Sequence, residues 1–253
     1  MVTLLLPLQS LAATAEKPVF TLYAYHDKPP YFVPESSKYN SAEGIYAAFV
    51  RLINDRQSTY LVQLRFKPRV RLEDKLNMGA LEGAIIGVNP LWFKDGNELR
   101  FLWSGAFMWD KDIVVARNDA TFTYTKADDL IGKKLALPRG LYFFGVSQLA
   151  AAGKLTVFET NSDLQNLQMV SLGRADATIT SVLTYEYFTK SHTTNHALQA
   201  FDIPHDKYAR RMLFPKSQQA AFEVLAPIIE ASLRDPVWLA TLATYHYQTS
   251  LHP

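Results

Sequence analysis

Apolar and polar residues follow one another in short blocks that predict strands and helices in turn. Residues 20–25 predict a first strand, and apolar positions three and four apart over residues 44–54 predict a helix. A second strand is predicted over residues 60–66 and a second helix over residues 72–78. Because strands alternate with helices, the pattern indicates an α/β fold with mostly parallel sheets.

One part of this pattern occurs twice, in residues 76–87 and again in residues 169–180. Each copy predicts the end of an amphipathic helix, followed by Gly79 or Gly173, a residue suited to the left-handed conformation that stops a helix. An acidic residue and a short apolar strand come next in both copies. Two copies predict two similar α/β lobes, with a cleft between them.

The second half of the chain predicts how the lobes connect. Two polar stretches, residues 118–129 and 201–211, are predicted crossings between the lobes. Residues 217–233 predict a strong amphipathic helix, and Asp235 with Pro236 predicts the start of a last helix. If the chain returns to the first lobe, these two helices pack there.

These crossings divide the chain into two predicted lobes. The first lobe is discontinuous and takes residues 16–114 and 208–253, and the second takes residues 115–207. Two hinge strands are expected to join them.

The first residues predict an export signal. An apolar stretch begins at Leu4, and the small residues Ala13 and Ala15 resemble the site where a signal peptide is cleaved. We therefore expect residues 1–15 to be a signal peptide and the mature protein to be periplasmic. A buried N-terminal strand is the alternative. Every later apolar stretch is too short to span a bilayer.

Composition narrows the classes of function. With 253 residues, 48% of them hydrophobic, the chain has enough material for one large domain or two small ones. A formal net charge of +2 without a Lys/Arg run argues against nucleic-acid binding. The absence of cysteine excludes disulfides, thiolate chemistry, cysteine-based metal sites and a lipidated cysteine anchor.

Six segments in order carry a resemblance to a known family. They are residues 28–32, 44–45, 76–87, 101–104, 129–140 and 172–177. Together they resemble the extracellular solute-binding proteins of family 3, the periplasmic receptors of polar amino-acid ABC importers. The resemblance implies the type II periplasmic binding fold: two lobes, each a mostly parallel sheet flanked by helices, with two hinge strands. It also implies closure of the lobes around a small-molecule ligand.

Three positions depart from the family's amino-acid site. The family grips the α-carboxylate with an arginine, where Lys94 stands here and offers a point charge instead of a planar fork. An aspartate holds the α-ammonium in the family, and its equivalent here is Ser181. In the family, a small hydroxyl residue usually follows the glycine that corresponds to Gly140. In this chain that position is occupied by Leu141. The resemblance therefore implies a ligand other than a standard α-amino acid.

Several residues are predicted to form the ligand site. They are Lys28, Tyr31, Arg69, Gly87, Asn89, Lys94, Arg139, Gly140, Leu141, Tyr142 and Ser181. The four basic residues among them favour a ligand with an anionic group, since arginine and helix N-termini both attract anions. Two alternatives stay open: Lys28 as a solvated loop residue, and Arg69 as a surface ion pair with Glu73 or Asp74.

The leading hypothesis is a periplasmic solute-binding protein, not an enzyme. It captures a small polar ligand, works as a monomer and delivers the ligand to an ABC permease. No catalytic residue, cofactor or metal site is predicted; His192 and His196 have a zinc-like spacing but lack a third ligand nearby in sequence. The alternatives are a prephenate or arogenate dehydratase on the same scaffold, with Glu43 or Glu82 as weak acid candidates, and a free periplasmic sensor partner.

Overall fold

The computed structural model of the chain describes residues 16–33, 43–191 and 198–247. The strands are β1 Val19–Ala24, β2 Leu61–Phe66, β3 Ala84–Val88, β4 Leu102–Trp103, β5 Met108–Arg117, β6 Lys134–Pro138, β7 Thr156–Thr160, β8 Ala177–Ser181, β9 Leu198–Ala200 and β10 Asp206–Phe214. The helices are α1 Ile45–Arg56, α2 Arg69–Asn77, α3 Val146–Ala151, α4 Asp163–Ser171, α5 Val182–Ser191, α6 Gln219–Ala231 and α7 Pro236–Thr244.

The strands form two lobes with the same internal order. In the first lobe the order is β2-β1-β3-β10, and in the second it is β7-β6-β8-β5. The first three strands of each lobe run parallel, and the fourth runs antiparallel to its neighbour. The predicted two-lobed α/β architecture, with mostly parallel sheets flanked by helices, is therefore confirmed.

Two long antiparallel strands, β5 and β10, connect the lobes. Residues 206–210 of β10 pair with residues 108–112 of β5, and the following residues of β10 pair with β3. The C-terminal half of β5 pairs with β8 in the second lobe. The lobe boundaries predicted at 114/115 and 207/208 fall within these two strands.

The crossing predicted at residues 118–129 is misplaced. These residues follow β5, and Tyr124 and Leu130 are buried in the core of the second lobe. The chain crosses earlier, on β5 itself. The apolar run of residues 112–117 predicts the second half of this strand, but Asp110 and Asp112 obscure its first half. Both carboxylates are buried there by polar partners described below.

The last helices return to the first lobe. Helices α6 and α7 both contact α1, and Trp238 of α7 is fully buried between Phe49 and Phe107. The indole N–H of Trp238 donates to the backbone oxygen of Phe107 at 2.7 Å. Asp235 caps α7 through the N–H groups of Val237 and Trp238, as its position before Pro236 predicts.

The repeated segment forms the same local structure twice. Helices α2 and α4 each end at a glycine of positive φ, Gly79 at 65° and Gly173 at 68°. In both, the two N–H groups from the glycine onward bond back to carbonyls of the last helical turn, which is a Schellman ending. Strands β3 and β8 follow and occupy equivalent places in their lobes.

Some predictions fall outside the described residues. The predicted signal peptide over residues 1–15 and the pair His192 and His196 are among them. Of the helices the model describes, none combines the length and apolarity needed to cross a membrane.

Candidate functional site

A cavity of about 420 Å³ lies between the lobes, where several strands end. Its first-lobe wall is formed by the segments after β1 and β3 and by the start of α2, and its second-lobe wall by residues 140–143 after β6. Hinge residues of β5 and β10 line it as well. The cavity therefore lies beside the carboxyl ends of parallel strands, where α/β folds usually bind ligands. Its lining residues are Tyr25, His26, Lys28, Tyr46, Arg69, Glu73, Ile86, Gly87, Leu91, Trp92, Lys94, Asp112, Gly140, Leu141, Tyr142, Phe143, Tyr208 and Arg210.

Arg69, the first residue of α2, is fixed on the cavity wall. Its Nε donates to Glu73 Oε1 at 2.8 Å, and its Nη2 donates to the backbone oxygen of Trp92. The guanidinium lies 4.9 Å from the ring centre of Phe93 and 5.6 Å from that of Tyr25. Arg69 therefore forms an ion pair with Glu73 and lines the cavity at the same time.

Lys28 joins the two lobes across the cavity. Its Nζ lies 3.4 Å from Oδ1 of Asp163, the first residue of α4. The same carboxylate oxygen accepts a hydrogen bond of 2.6 Å from the hydroxyl of Thr180. Only 12% of the Lys28 side chain is exposed, which excludes the alternative of a solvated loop lysine.

Aromatic and apolar side chains form much of the remaining wall. The ring of Trp92 stands edge-on to that of Tyr208, with centres 4.8 Å apart. Leu141, from the second lobe, packs against the buried clusters of both lobes. Tyr142 is 58% exposed at the rim. Such walls contact the apolar body of a ligand and leave the charged residues to orient it.

The hinge strands carry a buried polar network, which we call the hinge cluster: Asp110, Asp112, Tyr208 and Arg210. Arg210 donates from Nε and Nη2 to Asp110, from Nη1 to Tyr46 Oη and Gly87 O, and from Nη2 to Tyr208 Oη. Tyr208 in turn donates to Asp112 Oδ1 at 2.8 Å.

Gly87 allows the hinge cluster to form. It lies at the end of β3 with a φ of 77°, and a Cβ there would come within 1.9 Å of the Tyr46 hydroxyl. A side chain would therefore displace Tyr46 from Arg210.

Burial changes the protonation of two groups on the cavity. It raises the pKa of Asp112 to about 6, although the charge of Lys28 opposes the shift. Burial lowers the pKa of His26 well below its usual value, and the charges of Lys28 and Arg69 add to this effect. At neutral pH the cavity therefore contains a neutral imidazole and a carboxylate whose charge is easily lost.

Comparisons with known proteins show the fold. No model of a known protein family matches the chain, and no curated protein sequence matches it. Solved structures do match. The substrate-binding protein of an amino acid ABC transporter superposes with a TM-score of 0.70 at 16% identity, covering 91% of this chain and 100% of that one. The fold is that of the two-lobed periplasmic binding proteins.

Two further structures with this fold have other roles. A histidine kinase sensor domain with similarity to periplasmic binding proteins gives a TM-score of 0.73 at 14% identity, covering 90% of this chain and 96% of that one. An ancestral amino-acid-binding protein, a precursor of cyclohexadienyl dehydratase, gives 0.67 at 15% identity, with coverages of 90% and 96%. The fold is therefore shared by the substrate-binding protein of a transporter, a sensor domain and an amino-acid-binding precursor of an enzyme.

On this periplasmic binding fold, seven of the predicted site residues meet at the cavity. They are Lys28, Arg69, Gly87, Lys94, Gly140, Leu141 and Tyr142. They come from four separate segments, which the two lobes bring together. Their contact with a ligand stays a prediction.

The other four predicted residues have partners elsewhere. Tyr31 is fully buried and donates to Asp110 at 2.6 Å. Asn89 caps the helical turn that begins at Pro90. The backbone and side chain of Ser181 are buried at the end of β8, and its hydroxyl donates to Thr184.

Arg139 is the fourth of these residues. Its side chain is 67% exposed and lies 3.5 Å from the carboxylate of Glu159. The strand end that it follows lines the cavity through the next residues, Gly140 and Leu141. Its guanidinium therefore points along the outer surface of the second lobe, beside β7.

Sequence reasoning missed the hinge residues on the cavity. Asp112 begins the apolar run of residues 112–117, which predicts a strand but no ligand contact, and Tyr208 and Arg210 lie in the polar stretch predicted as a crossing. One signal was available in the sequence. Asp110 and Asp112 alternate with Trp109 and Lys111 directly before an apolar run. This alternation is compatible with a strand whose two aspartates share one face. His26, next to the predicted Lys28, was also passed over.

The acidic residues considered for catalysis lie away from the cavity. Glu82 is exposed before β3, and Glu43 lines a separate groove beside Gly44. Asp176, the counterpart of Glu82, accepts a hydrogen bond of 2.7 Å from the N–H of Lys134. Among the described residues, no three His, Asp or Glu side chains cluster in a way that would hold a metal ion.

Proposed function

We propose that this chain is a periplasmic solute-binding protein that captures a small ligand with an anionic group between its lobes. It acts as a monomer and passes the ligand to an ABC permease in the inner membrane. The observation that carries the proposal is the pairing of Arg69 and Lys94 with aromatic side chains around one interlobe cavity of about 420 Å³. A cavity of this size accommodates a small organic acid.

The charge of the wall supports an anionic group. Arg69 and Lys94 both stand on the first-lobe wall, and within the described part of the chain no ion pair involves Lys94. Arg69 also lies at the start of α2, whose N-terminal dipole adds a partial positive charge. A carboxylate placed between them gains charge-assisted hydrogen bonds.

A standard α-amino acid is a poor match for this cavity. Ser181, which occupies the place of the family's ammonium-binding aspartate, is uncharged and buried against Thr184. Lys94 provides one point charge where a guanidinium would bind a carboxylate through two parallel hydrogen bonds. We therefore propose organic acids, ahead of amino acids, as the class of ligand.

Calorimetric titration of the mature chain tests the proposal. We expect small carboxylic acids to bind without turnover, and Arg69→Ala to weaken binding by about 10- to 100-fold through the loss of a charged hydrogen bond. Arg71→Ala is the matched control, because Arg71 is exposed on the same helix. Unchanged affinity in Arg69→Ala would remove Arg69 from the site, and failure of every acid to bind would overturn the proposal.

One observation favours a second function, acid catalysis. Asp112 lines the cavity and, with its pKa raised to about 6, is partly protonated near neutral pH, as a general acid must be. A dehydratase acting on prephenate would use such a group to protonate the leaving hydroxyl, which departs as water while the ring carboxylate departs as CO2 and its bonding electrons complete the aromatic ring. Incubation with prephenate, followed by assay for phenylpyruvate, distinguishes the two functions. Turnover that is lost in Asp112→Asn would replace the binding proposal.

A further inference from the structure

Two buried carboxylates lie beside the ammonium of Lys28. Asp163 is 3.4 Å from its Nζ, and the side chain of Asp163 is only 3% exposed. Asp112, on the hinge strand β5, is also buried and interacts electrostatically with Lys28. Lys28 is therefore the cation that faces both acids, although it belongs to the first lobe and Asp163 to the second.

The position of Lys28 separates Asp163 from the ligand cavity. Lys28 is part of the cavity wall, whereas Asp163 is not. A buried carboxylate without a cation is costly, and the hydroxyl of Thr180 and the start of α4 supply only partial positive charge. Lys28 supplies the full charge and at the same time blocks the approach from the cavity.

The remaining charges around the cavity repel a second cation. Arg69, Lys94 and Arg210 line it, and the neutral His26 adds no negative charge. Of the two acids that line it, Glu73 is bonded to Arg69 and Asp112 accepts from Tyr208. A ligand ammonium would therefore enter a wall of like charge and would have to displace Lys28 to reach Asp163.

We propose that Lys28 is a specificity-determining residue, an internal counter-ion that restricts the cavity to carboxylates without an amine. This inference rests on the proposed solute-binding function and names its ligand class. Shortening the side chain of Lys28 leaves Asp163 without its cation and opens the path to it. The variant cavity then gains a place for the ammonium of an amino acid.

The test uses pairs of probes that differ by one ammonium group: propionate and L-alanine, succinate and L-aspartate, hydrocinnamate and L-phenylalanine. Affinities are measured by calorimetry on the mature chain. We expect the wild type to bind the amine-free member of at least one pair about tenfold or more tightly. In Lys28→Met we expect the affinity ratio within a pair to shift toward the amine by about tenfold or more. Asp163 is then a buried carboxylate without a cation, and the ligand ammonium can supply one.

Two control variants isolate the role of Lys28. Lys94→Met removes a positive charge from the same cavity but uncovers no buried carboxylate; we expect it to weaken binding of the carboxylates and to change the ratio within a pair much less than Lys28→Met does. Lys28→Arg keeps a cation beside Asp163 and is expected to keep the preference. Adding Asp163→Asn to Lys28→Met removes the uncovered carboxylate, and the gained binding of the amine disappears.

The outcomes separate this inference from the proposed function. A wild type that binds no carboxylate of the three pairs overturns the proposed function and this inference with it. A wild type that binds carboxylates, with the same ratio in Lys28→Met, overturns the inference and leaves the binding function standing. Equal binding of both members of every pair by the wild type also overturns the inference.

Discussion

The hinge cluster and the first-lobe wall of the cavity both contain arginine, but they use it differently. In the hinge cluster, Arg210 is almost fully buried, and its three nitrogens all donate to oxygens of the protein. On the wall, Lys94 is exposed and Arg69 is held at the edge of an open volume. The comparison teaches that a charge beside a ligand cavity is not by itself a ligand contact.

The difference follows from what each region must satisfy. Asp110 is buried at the centre of the hinge and receives hydrogen bonds from Tyr31, Arg210 and the backbone N–H of Lys111. An ion in such a place needs a complete set of partners, or its desolvation is not offset. Arg69 and Lys94 on the wall border the open cavity, so their charges do not need a complete set of protein partners. The hinge charges therefore hold the two hinge strands to each other and to the first lobe, and the wall charges are available for binding.

The largest expected effect comes from breaking the hinge cluster. Arg210→Met leaves Asp110 buried without its cation and is expected to lower the free energy of unfolding by about 3–5 kcal/mol. Chemical denaturation measures this loss. Arg210→Lys restores the charge but not the fork of donors, and we expect an intermediate loss.

The neighbouring Arg211→Met is the matched control. Arg211 pairs with the partly exposed Glu98 and donates to the backbone oxygen of Ser104, but its removal leaves no buried carboxylate, so we expect a smaller loss of about 1–2 kcal/mol. Equal losses in Arg210→Met and Arg211→Met would mean that the hinge cluster has no special structural role, and the comparison would fail.

A smaller effect is expected from pH, acting through Asp112. Its pKa of about 6 in the folded chain exceeds the usual value of 3.8, so the folded state binds the proton more tightly than the unfolded state does. The contribution of Asp112 to stability is therefore present below pH 4 and is lost as the pH rises to about 6. A shift of about two pKa units corresponds to about 3 kcal/mol at most.

Denaturation of the wild type and Asp112→Asn between pH 4 and pH 7 measures this contribution. The stability of the variant relative to the wild type is expected to increase as the pH rises, because asparagine keeps an acceptor for Tyr208 but carries no charge. Asp95→Asn provides a control of opposite sign. Burial raises the pKa of Asp95, but hydrogen bonds from Trp103 and from the N–H groups of Arg100 and Phe101 outweigh it and lower the pKa. Its contribution is lost as the pH falls below about 4, so this control is measured between pH 2 and pH 5.

Much of the fold could be predicted from the sequence because its signals are local. Each copy of the repeated segment contains its own helix ending and strand, and Gly79 and Gly173 take the positive φ that their positions require. The last helix was predictable for the same reason, since Asp235 and Pro236 specify its start. The buried ion pair between the two hinge strands was not predictable, because Asp110 and Arg210 are 100 residues apart and no local pattern links them.

The site was predictable in part for a related reason. Segments that follow strands β1, β2, β3 and β6 reach one cavity because the fold brings parallel strand ends together, and they contain Lys28, Arg69, Lys94 and Gly140. Which way each side chain points depends on tertiary neighbours. The partner of Lys28, Asp163, comes from the other lobe, and no local pattern links the two.

The smallest expected effect concerns Arg139, a basic residue of the predicted site that lies beyond both regions. Its side chain is exposed and pairs with Glu159 on β7, outside the cavity lining. Arg139→Met is therefore expected to leave the affinity for a carboxylate within about twofold of the wild type, whereas Arg69→Ala weakens it far more. Calorimetry on both variants makes the comparison. A loss in Arg139→Met as large as that in Arg69→Ala would mean that the loop after β6 turns Arg139 toward the ligand on binding, and the wall would then have a second-lobe anion contact.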